Sequence, residues 1–443
     1  MLQLKTFPKG GIHPSQQKIS AQASITYGEI PKQLLIPVNQ HIGRTANVVV
    51  KKNDVVKRGQ LLAQASGFIS SNVHAPVDGK VMKVFRFSLL GGAIGEVIQI
   101  QPDEPGKSYR EVLEQDVELS VDLNKLTAEE IRKRIQEAGI VGMGGAGFPT
   151  HVKLSPPPEK KIDALIINGA ECEPYITADH RIMVEQPAQI IQGIKILKKL
   201  FPEVPVYIGI EDNKPDALNM MDKAAAREEG IFVVPLKAKY PQGGEKQLIK
   251  AVLNREVPSK GLPMDVGVIV QNVATVLAIR NVFYHNRPLL ERVVTVSGSL
   301  VEHPGNILLP IGTPVSYIMD KFNIDRERVR LLLAGGPMMG RTCHSFESPI
   351  SKTTSALLFF DEKAFVQRQE NPCLRCGNCV SVCPMGLDVA IYVQMIQKNK
   401  LDDYVKEHIM DCIECGSCTY VCPANRRLVH WMRLGKRIIK REN

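Results

Sequence analysis

No run in this chain approaches the ~18 uncharged apolar residues that a membrane span needs. The most apolar stretch, 262–279, is broken by Asp265, Gln271 and Asn272. The opening segment, MLQLKTFPKGG, lacks the apolar core of a secretory signal. Together these absences predict a chain with no span of its own, on the cytoplasmic side of the membrane. Cysteine is scarce over most of the length. Only Cys172 and Cys343 lie outside one short region, which argues against a disulfide framework and an oxidising compartment. The net charge is +10, yet no nucleic-acid motif accompanies it. What remains is an ordinary globular composition, 44% hydrophobic and 23% charged over 443 residues, long enough for about three domains.

The most informative stretch is where the other cysteines gather. Eight of the ten lie between Cys373 and Cys422, in two copies of C-x2-C-x2-C-x3-C-P. This is the spacing of bacterial two-cluster ferredoxins, in which the fourth cysteine of each run ligates the other cluster. The resemblance implies one 4Fe–4S cluster on Cys373, Cys376, Cys379 and Cys422. It implies a second on Cys412, Cys415, Cys418 and Cys383. Zinc is the competing reading, but it takes four ligands, usually as two separated pairs, and leaves the doubled motif unexplained. Two adjacent clusters make a wire for single electrons, so the remaining chain should hold whatever loads it.

Several segments narrow that search. Residues 1–30 contain FPKGGIHP, a loop expected to pack on another domain. From Ile30 to about Pro102, short alternating segments with turns at Asn53-Asp54 and Asp78-Gly79 read as strands. Their order resembles a lipoyl/biotinyl-type barrel-sandwich hybrid. Such domains carry their cofactor on a hairpin lysine, and no lysine lies from Gly59 to Gly79. A structural or docking module is therefore expected. Thr127 with Glu130 three residues on forms a capping box at the start of a helix.

Gly142 to Leu154 reads GMGGAGFPTHVKL, and Gly142, Gly144 and Gly147 satisfy G-x-G-x-x-G. A dinucleotide fingerprint should follow a strand, and here a helix precedes it. The stretch is therefore either a phosphate cradle, helped by a helix starting after Pro149-Thr150, or a plain glycine turn. Strands and helices then alternate through about Val282, as in a mostly parallel sheet covered on both faces. Strand ends carry Asn168, Glu171 and Glu173, then Gly243-Gly244-Glu245, then Gln271-Asn272. A small α+β module follows, with a helix near 314–322. The spacer between the cysteine runs, roughly Asp388 to His408, has helical periodicity. The last 18 residues hold seven Lys/Arg and one Glu. They form a basic amphipathic helix that either meets a membrane surface or acidic partner or packs its apolar face on the cluster domain.

Taken in order, FPKGGIHP, the lysine-less barrel region, GMGGAGFPTHVK, NGAECEP, YPQGGEKQL, VQNVAT and the doubled cysteine motif resemble the C subunits of Rnf (Rsx) electron-transport complexes over the full length. The middle is also similar to the NADH-binding flavoprotein subunit of respiratory complex I. The resemblance implies residues 1–118 as the barrel-sandwich segment and 119–290 as an FMN/NADH-binding Rossmann-like domain. It implies 291–345 as a β-grasp, soluble-ligand-binding module and 346–443 as a helical two-cluster domain. It places FMN against Gly142, Gly144, Gly145, Lys153, Asn168, Glu171, Gly244, Glu245, Gln271, Asn272 and Thr275. It places NADH against Phe148 and Glu173, and an acid near the adenosine ribose favours NADH over NADPH. Met143, Ala170 and Lys246 depart from the complex I pattern. The implied function is hydride exchange between NADH and FMN, with the clusters passing electrons one at a time to or from membrane subunits and a ferredoxin-like subunit. Ion transport would belong to those partners. The alternatives are a related flavin/iron–sulfur reductase of the cobalamin reductase type, a non-catalytic conduit, or a scaffold whose clusters only stabilise the fold.

Overall fold

The computed structural model describes residues 4–366, 368–401 and 403–442. Its centre is a four-stranded parallel sheet in the order Ile231–Leu236, Val206–Glu211, Ala164–Gly169, Val268–Asn272. Ala164–Gly169 is buried along nearly its whole length. That is what a strand covered by helices on both faces requires, and it explains why the segment is a continuous apolar run. Numbered by sequence, the order is 3-2-1-4. The chain reverses its direction of travel between Ala164–Gly169 and Val268–Asn272, and open α/β sheets bind ligands at the carboxyl ends beside such a switch point. Asn272 pairs there with Asn168.

Residues 30–102 fold as expected into two small antiparallel sheets. One is ordered Leu34–Pro37, Ile94–Pro102, Gly79–Ser88, Val55–Val56; the other is Asn47–Val48, Leu61–Gln64, Val73–His74. They share a core that includes Leu34, Ile36, Val56, Leu62, Val81 and Ile98. The α+β module is built on a six-stranded mixed sheet ordered Ile25–Tyr27, Gly305–Pro310, Glu291–Ser297, Ala356–Phe360, Leu331–Ala334, Arg341–Thr342. Two of its strands lie outside 291–345. Ala356–Phe360 is apolar and fully buried, and Ile25–Tyr27 adds an edge in parallel with Gly305–Pro310.

Local expectations hold with instructive exceptions. The Thr127–Glu130 capping box opens Ala128–Glu137. The helix after Pro149 is a single turn, Thr150–Lys153, too short for a substantial dipole. The spacer between cysteine runs is two helices, Val389–Gln397 and Asp403–His408. The basic terminal helix, Leu428–Glu442, buries Leu428, Met432 and Ile439 in the core of the cluster domain. Of the two readings of that helix, packing on the cluster domain is the one observed.

Candidate functional site: a strand-end crevice beside two cysteine quartets

The glycine loop closes on itself. The Gly142 amide donates to the Phe148 carbonyl at 2.9 Å, and the Met143 amide donates to Thr275 Oγ1 at 2.9 Å. A Cβ on Gly144 would lie 2.8 Å from Asn272 Nδ2, so only glycine lets the loop reach the switch point. Gly145 has nothing within 4 Å of where a Cβ would stand. The backbone there is exposed and open, as a ligand approaching closely would require.

The other expected residues surround this opening. Asn168 Nδ2 donates to the Gly243 carbonyl at 2.9 Å, and its Oδ1 accepts the Ala170 amide at 3.2 Å. Asn272 caps helix Val273–Tyr284, its Oδ1 accepting the amides of Ala274 and Thr275. Its Nδ2 donates to Asp179 Oδ2 at 2.5 Å. Lys153 Nζ meets Glu245 Oε1 at 2.6 Å. Gly244 precedes helix Glu245–Leu253. Gln271 is buried, and its Nε2 has no protein partner; neither has Asp179 Oδ1. Orphaned buried donors and acceptors are rare in native folds. Together with the open Gly145 backbone and a half-exposed lysine, they fit a bound phosphate-bearing ring cofactor such as FMN.

Two expected contacts are otherwise engaged. The Glu171 carboxylate accepts the amides of Asp179 and His180 at 2.7 and 3.1 Å, at the start of helix Ala178–Glu185. The Glu173 carboxylate accepts the amides of Met338 and Met339 at 3.1 and 2.8 Å. Those amides come from the loop GGPMMG of the α+β module, so Glu173 ties that loop to the sheet. Burial pushes its carboxyl up to about 7. A ribose contact by Glu173 would have to share this carboxylate with the loop.

Several charges that shape the crevice carry no motif. Lys18 Nζ donates to the carbonyls of Glu171, Glu173 and Ile176 at 2.6–2.9 Å, holding the NGAECEP turn from behind. Lys214, 1% exposed, binds the Ala170 carbonyl and Glu211. Arg292, also 1% exposed, donates from Nη2 to the Met143 carbonyl at 2.9 Å and interacts with Asp179 and Glu171. Arg292 thus brings positive charge beside Met143, one of the positions that depart from the complex I pattern.

The cysteines form two groups. Cys379 feels Cys373, Cys376 and Cys422; Cys418 feels Cys412, Cys415 and Cys383. The structure thus brings Cys373, Cys376, Cys379 and Cys422 together, and separately Cys412, Cys415, Cys418 and Cys383. The two runs share one backbone form: Arg375 and Gly377 in the first, Glu414 and Gly416 in the second, all have positive φ. A cavity of about 200 Å³ is lined by Cys373, Cys376, Cys379 and Cys422. In the other quartet, burial pushes Cys412 and Cys418 up to about 12. Among the described residues, no three potential ligands converge on a single metal ion.

The quartets differ in setting. Cys383, Cys415 and Cys418 are buried, whereas Cys376 is exposed. Tyr240, three residues before Gly243, donates from Oη to the Cys415 carbonyl at 2.7 Å. The Gly11 amide donates to the Val382 carbonyl at 2.9 Å. A Cβ on Gly10, at φ +64°, would meet the Cys383 backbone at 2.6 Å. The FPKGGIHP segment therefore packs between the sheet domain and the buried quartet, as its glycines and prolines predict.

Comparison with known proteins follows these divisions. Residues 5–105 match the RnfC barrel sandwich hybrid domain, 135–281 the Nuo51 FMN-binding domain, 293–342 the SLBB domain and 372–426 a 4Fe-4S dicluster domain. The chain is 43% identical over 97% of its length to the C subunit of the proton-translocating ferredoxin:NAD(+) oxidoreductase complex of Clostridium ljungdahlii, covering 93% of it. It is 40% identical over 97% of its length to the C subunit of the Na(+)-translocating complex of Acetobacterium woodii, covering 96%. It is 39% identical over 97% of its length to the C subunit of the ion-translocating oxidoreductase complex of Rhodobacter capsulatus, covering 82%. With these identities sustained along nearly the whole chain, the protein belongs to the family of C subunits of ion-translocating ferredoxin:NAD oxidoreductase (Rnf) complexes.

Proposed function

We propose that this chain is the NADH-linked electron-transfer subunit of a membrane ion-translocating ferredoxin:NAD oxidoreductase. It holds FMN in the switch-point crevice and a 4Fe–4S cluster in each quartet. The observation that carries this reading is the direct contact of the crevice with the buried quartet, through Tyr240 and the Cys415 carbonyl at 2.7 Å. When bound, the flavin exchanges a hydride with the nicotinamide and single electrons with the clusters; that chemistry is the cofactor's own. The protein supplies position and charge. Lys153 and the amides of the glycine loop would hold the flavin phosphate. Asn168, Asn272 and Gln271 offer donors and acceptors along the strand ends. Glu171, Lys18 and Arg292 hold these elements from behind. Phe148 offers an aromatic face for the nicotinamide dinucleotide.

The setting of the quartets orders the path. The quartet of Cys412, Cys415, Cys418 and Cys383 lies on the crevice side. The quartet of Cys373, Cys376, Cys379 and Cys422 opens outward, where a ferredoxin-like partner has access. No helix among the described residues is long and apolar enough to cross a membrane. Ion movement is accordingly assigned to membrane partners, with this chain peripheral on the cytoplasmic side.

The test is anaerobic reconstitution with iron, sulfide and FMN. The reading expects about eight irons per chain and stoichiometric flavin. A full complement of iron with no retained flavin would leave a two-cluster conduit whose glycine loop is structural.

A further inference from the structure

The cluster domain carries its two signs of charge on different sides. Acidic residues turn inward. Glu407 meets Lys260 of the sheet domain at 3.4 Å, and the Asp411 carboxylate accepts the Lys260 amide at 3.1 Å. Glu414 is closed between Arg433 and Lys436 at 3.1 and 2.8 Å. Cations without an acidic partner gather about the open quartet. Arg375 and Arg426 line the same cavity of about 200 Å³ as Cys373, Cys376, Cys379 and Cys422. Their backbone amides donate to Cys373 Sγ at 3.4 Å and Cys422 Sγ at 3.5 Å, which fixes both arginines at the rim. The Arg426 guanidinium meets a neutral partner, Gln397 Oε1, at 2.8 Å. Arg375 is exposed and has no ion pair among the described residues. Leu374 and Ile391 line the cavity too, yet are 67% and 50% exposed. The basic terminal helix starts at this cavity with Leu428. His430, Leu434 and Arg437 follow at helical spacing on its exposed side.

An apolar centre with a cationic rim, placed at the mouth of an electron centre, fits a protein carrier whose own face is acidic. Opposite charge speeds such an encounter and orients it. A bilayer surface does not fit. A helix lying in it needs a free apolar face, and here Leu428, Met432 and Ile439 are buried in the domain core. We propose that the surface of Leu374, Arg375, Ile391 and Arg426, extended by Arg437, is the docking face for an acidic one-electron carrier protein. One electron passes between the carrier's redox centre and the cluster at Cys373, Cys376, Cys379 and Cys422. One centre is oxidised and the other reduced by a single unit, with no bond made or broken. This inference rests on the electron-transfer reading above and adds the place and charge of the partner.

The test uses the full-length chain reconstituted with iron and sulfide. It is mixed anaerobically with a small acidic flavodoxin in its hydroquinone form, whose semiquinone absorbance reports each electron lost. The rate is measured between about 0.01 and 1 M salt, where the screening length falls from ~30 to ~3 Å. The proposal expects the rate to fall about tenfold or more over that range. Arg375→Glu should lower the low-salt rate about tenfold, with iron content and reduction by dithionite unchanged. Arg437→Glu should lower it about threefold, and it decides the matter if Arg375→Glu holds less iron. A rate that salt leaves unchanged, or that neither substitution lowers, overturns the proposal. So does binding to phosphatidylserine-containing vesicles that Arg375→Glu abolishes while flavodoxin oxidation keeps its rate, because the face would then be a membrane contact. A chain that holds no iron overturns the electron-transfer reading and this proposal with it.

Discussion

Glu173 shows how a single side chain acquires a second task. Its carboxylate closes the contact between the NGAECEP turn and the Met338–Met339 amides, and burial raises it from an ordinary 4.5 to about 7. The folded state therefore holds its proton more tightly than the unfolded chain does. The resulting stability is complete below about 4.5 and is lost as pH rises through about 7. The shift corresponds to a loss of order ~3 kcal/mol. The wild type is expected to lose thermal midpoint between about pH 5 and 8, and Glu173→Gln, which stays neutral, should flatten that fall. Equal pH profiles for the two proteins would contradict this. Lys214 gives a sharper case. It and Glu211 are 1% and 2% exposed, 3.1 Å apart, so Lys214→Met leaves a buried carboxylate unpaired. The expected cost is ~3–5 kcal/mol in chemical unfolding. Asn168, Gln271 and Asn272 were legible in the sequence because each ends a continuous apolar run. Lys18, Asp179 and Arg292 were not. A lone lysine or arginine in sequence reads as a solvated charge, and each reaches the crevice from a different element through backbone carbonyls or buried partners.

The cysteine runs are the most specific signal in the sequence, because thiolate spacing constrains cluster geometry directly. The crossed arrangement has a testable consequence. Cys422→Ser should abolish the electron-paramagnetic signal of the cluster held with Cys373, Cys376 and Cys379, and leave the other cluster, bound to its own run and Cys383, reducible. Loss of the signal from Cys412, Cys415 and Cys418 instead would mean that each run keeps its own fourth cysteine. The glycine loop was ambiguous for a physical reason: G-x-G-x-x-G prescribes backbone freedom, not a ligand. Only the approach of Gly144 to Asn272 and the empty space beside Gly145 separate a cradle from a plain turn. The helix after Pro149 was over-read, since proline favours a helix start but does not set its length. Strand Ala356–Phe360 was missed because an isolated apolar segment after a long polar loop gives no sign of which sheet it joins.

In the assembled chain, the domains meet around the crevice. The barrel-sandwich domain braces the glycine loop, the α/β sheet offers the crevice, and the GGPMMG loop bridges Glu173 to the cluster domain. The quartet with Cys383, Cys415 and Cys418 buried contacts Tyr240, and the other quartet has one exposed member, Cys376. Domain identity was legible from motifs, whereas these contacts were not, because docking surfaces are scattered across the sequence. Lys352 illustrates this: fully buried, it joins the Asn72 carbonyl of the barrel to the Gly139 carbonyl before the glycine loop, at 2.6 and 2.8 Å. On the proposed function, electrons pass between the crevice and the quartets by way of the flavin. The most direct measurement mixes the reconstituted chain with NADH under anaerobic stopped flow, following flavin absorbance and then cluster absorbance. The account predicts rapid bleaching of the flavin, followed by cluster reduction that disappears in chains lacking FMN. Clusters reduced by NADH without flavin, or a bound flavin that NADH leaves oxidised, would contradict it.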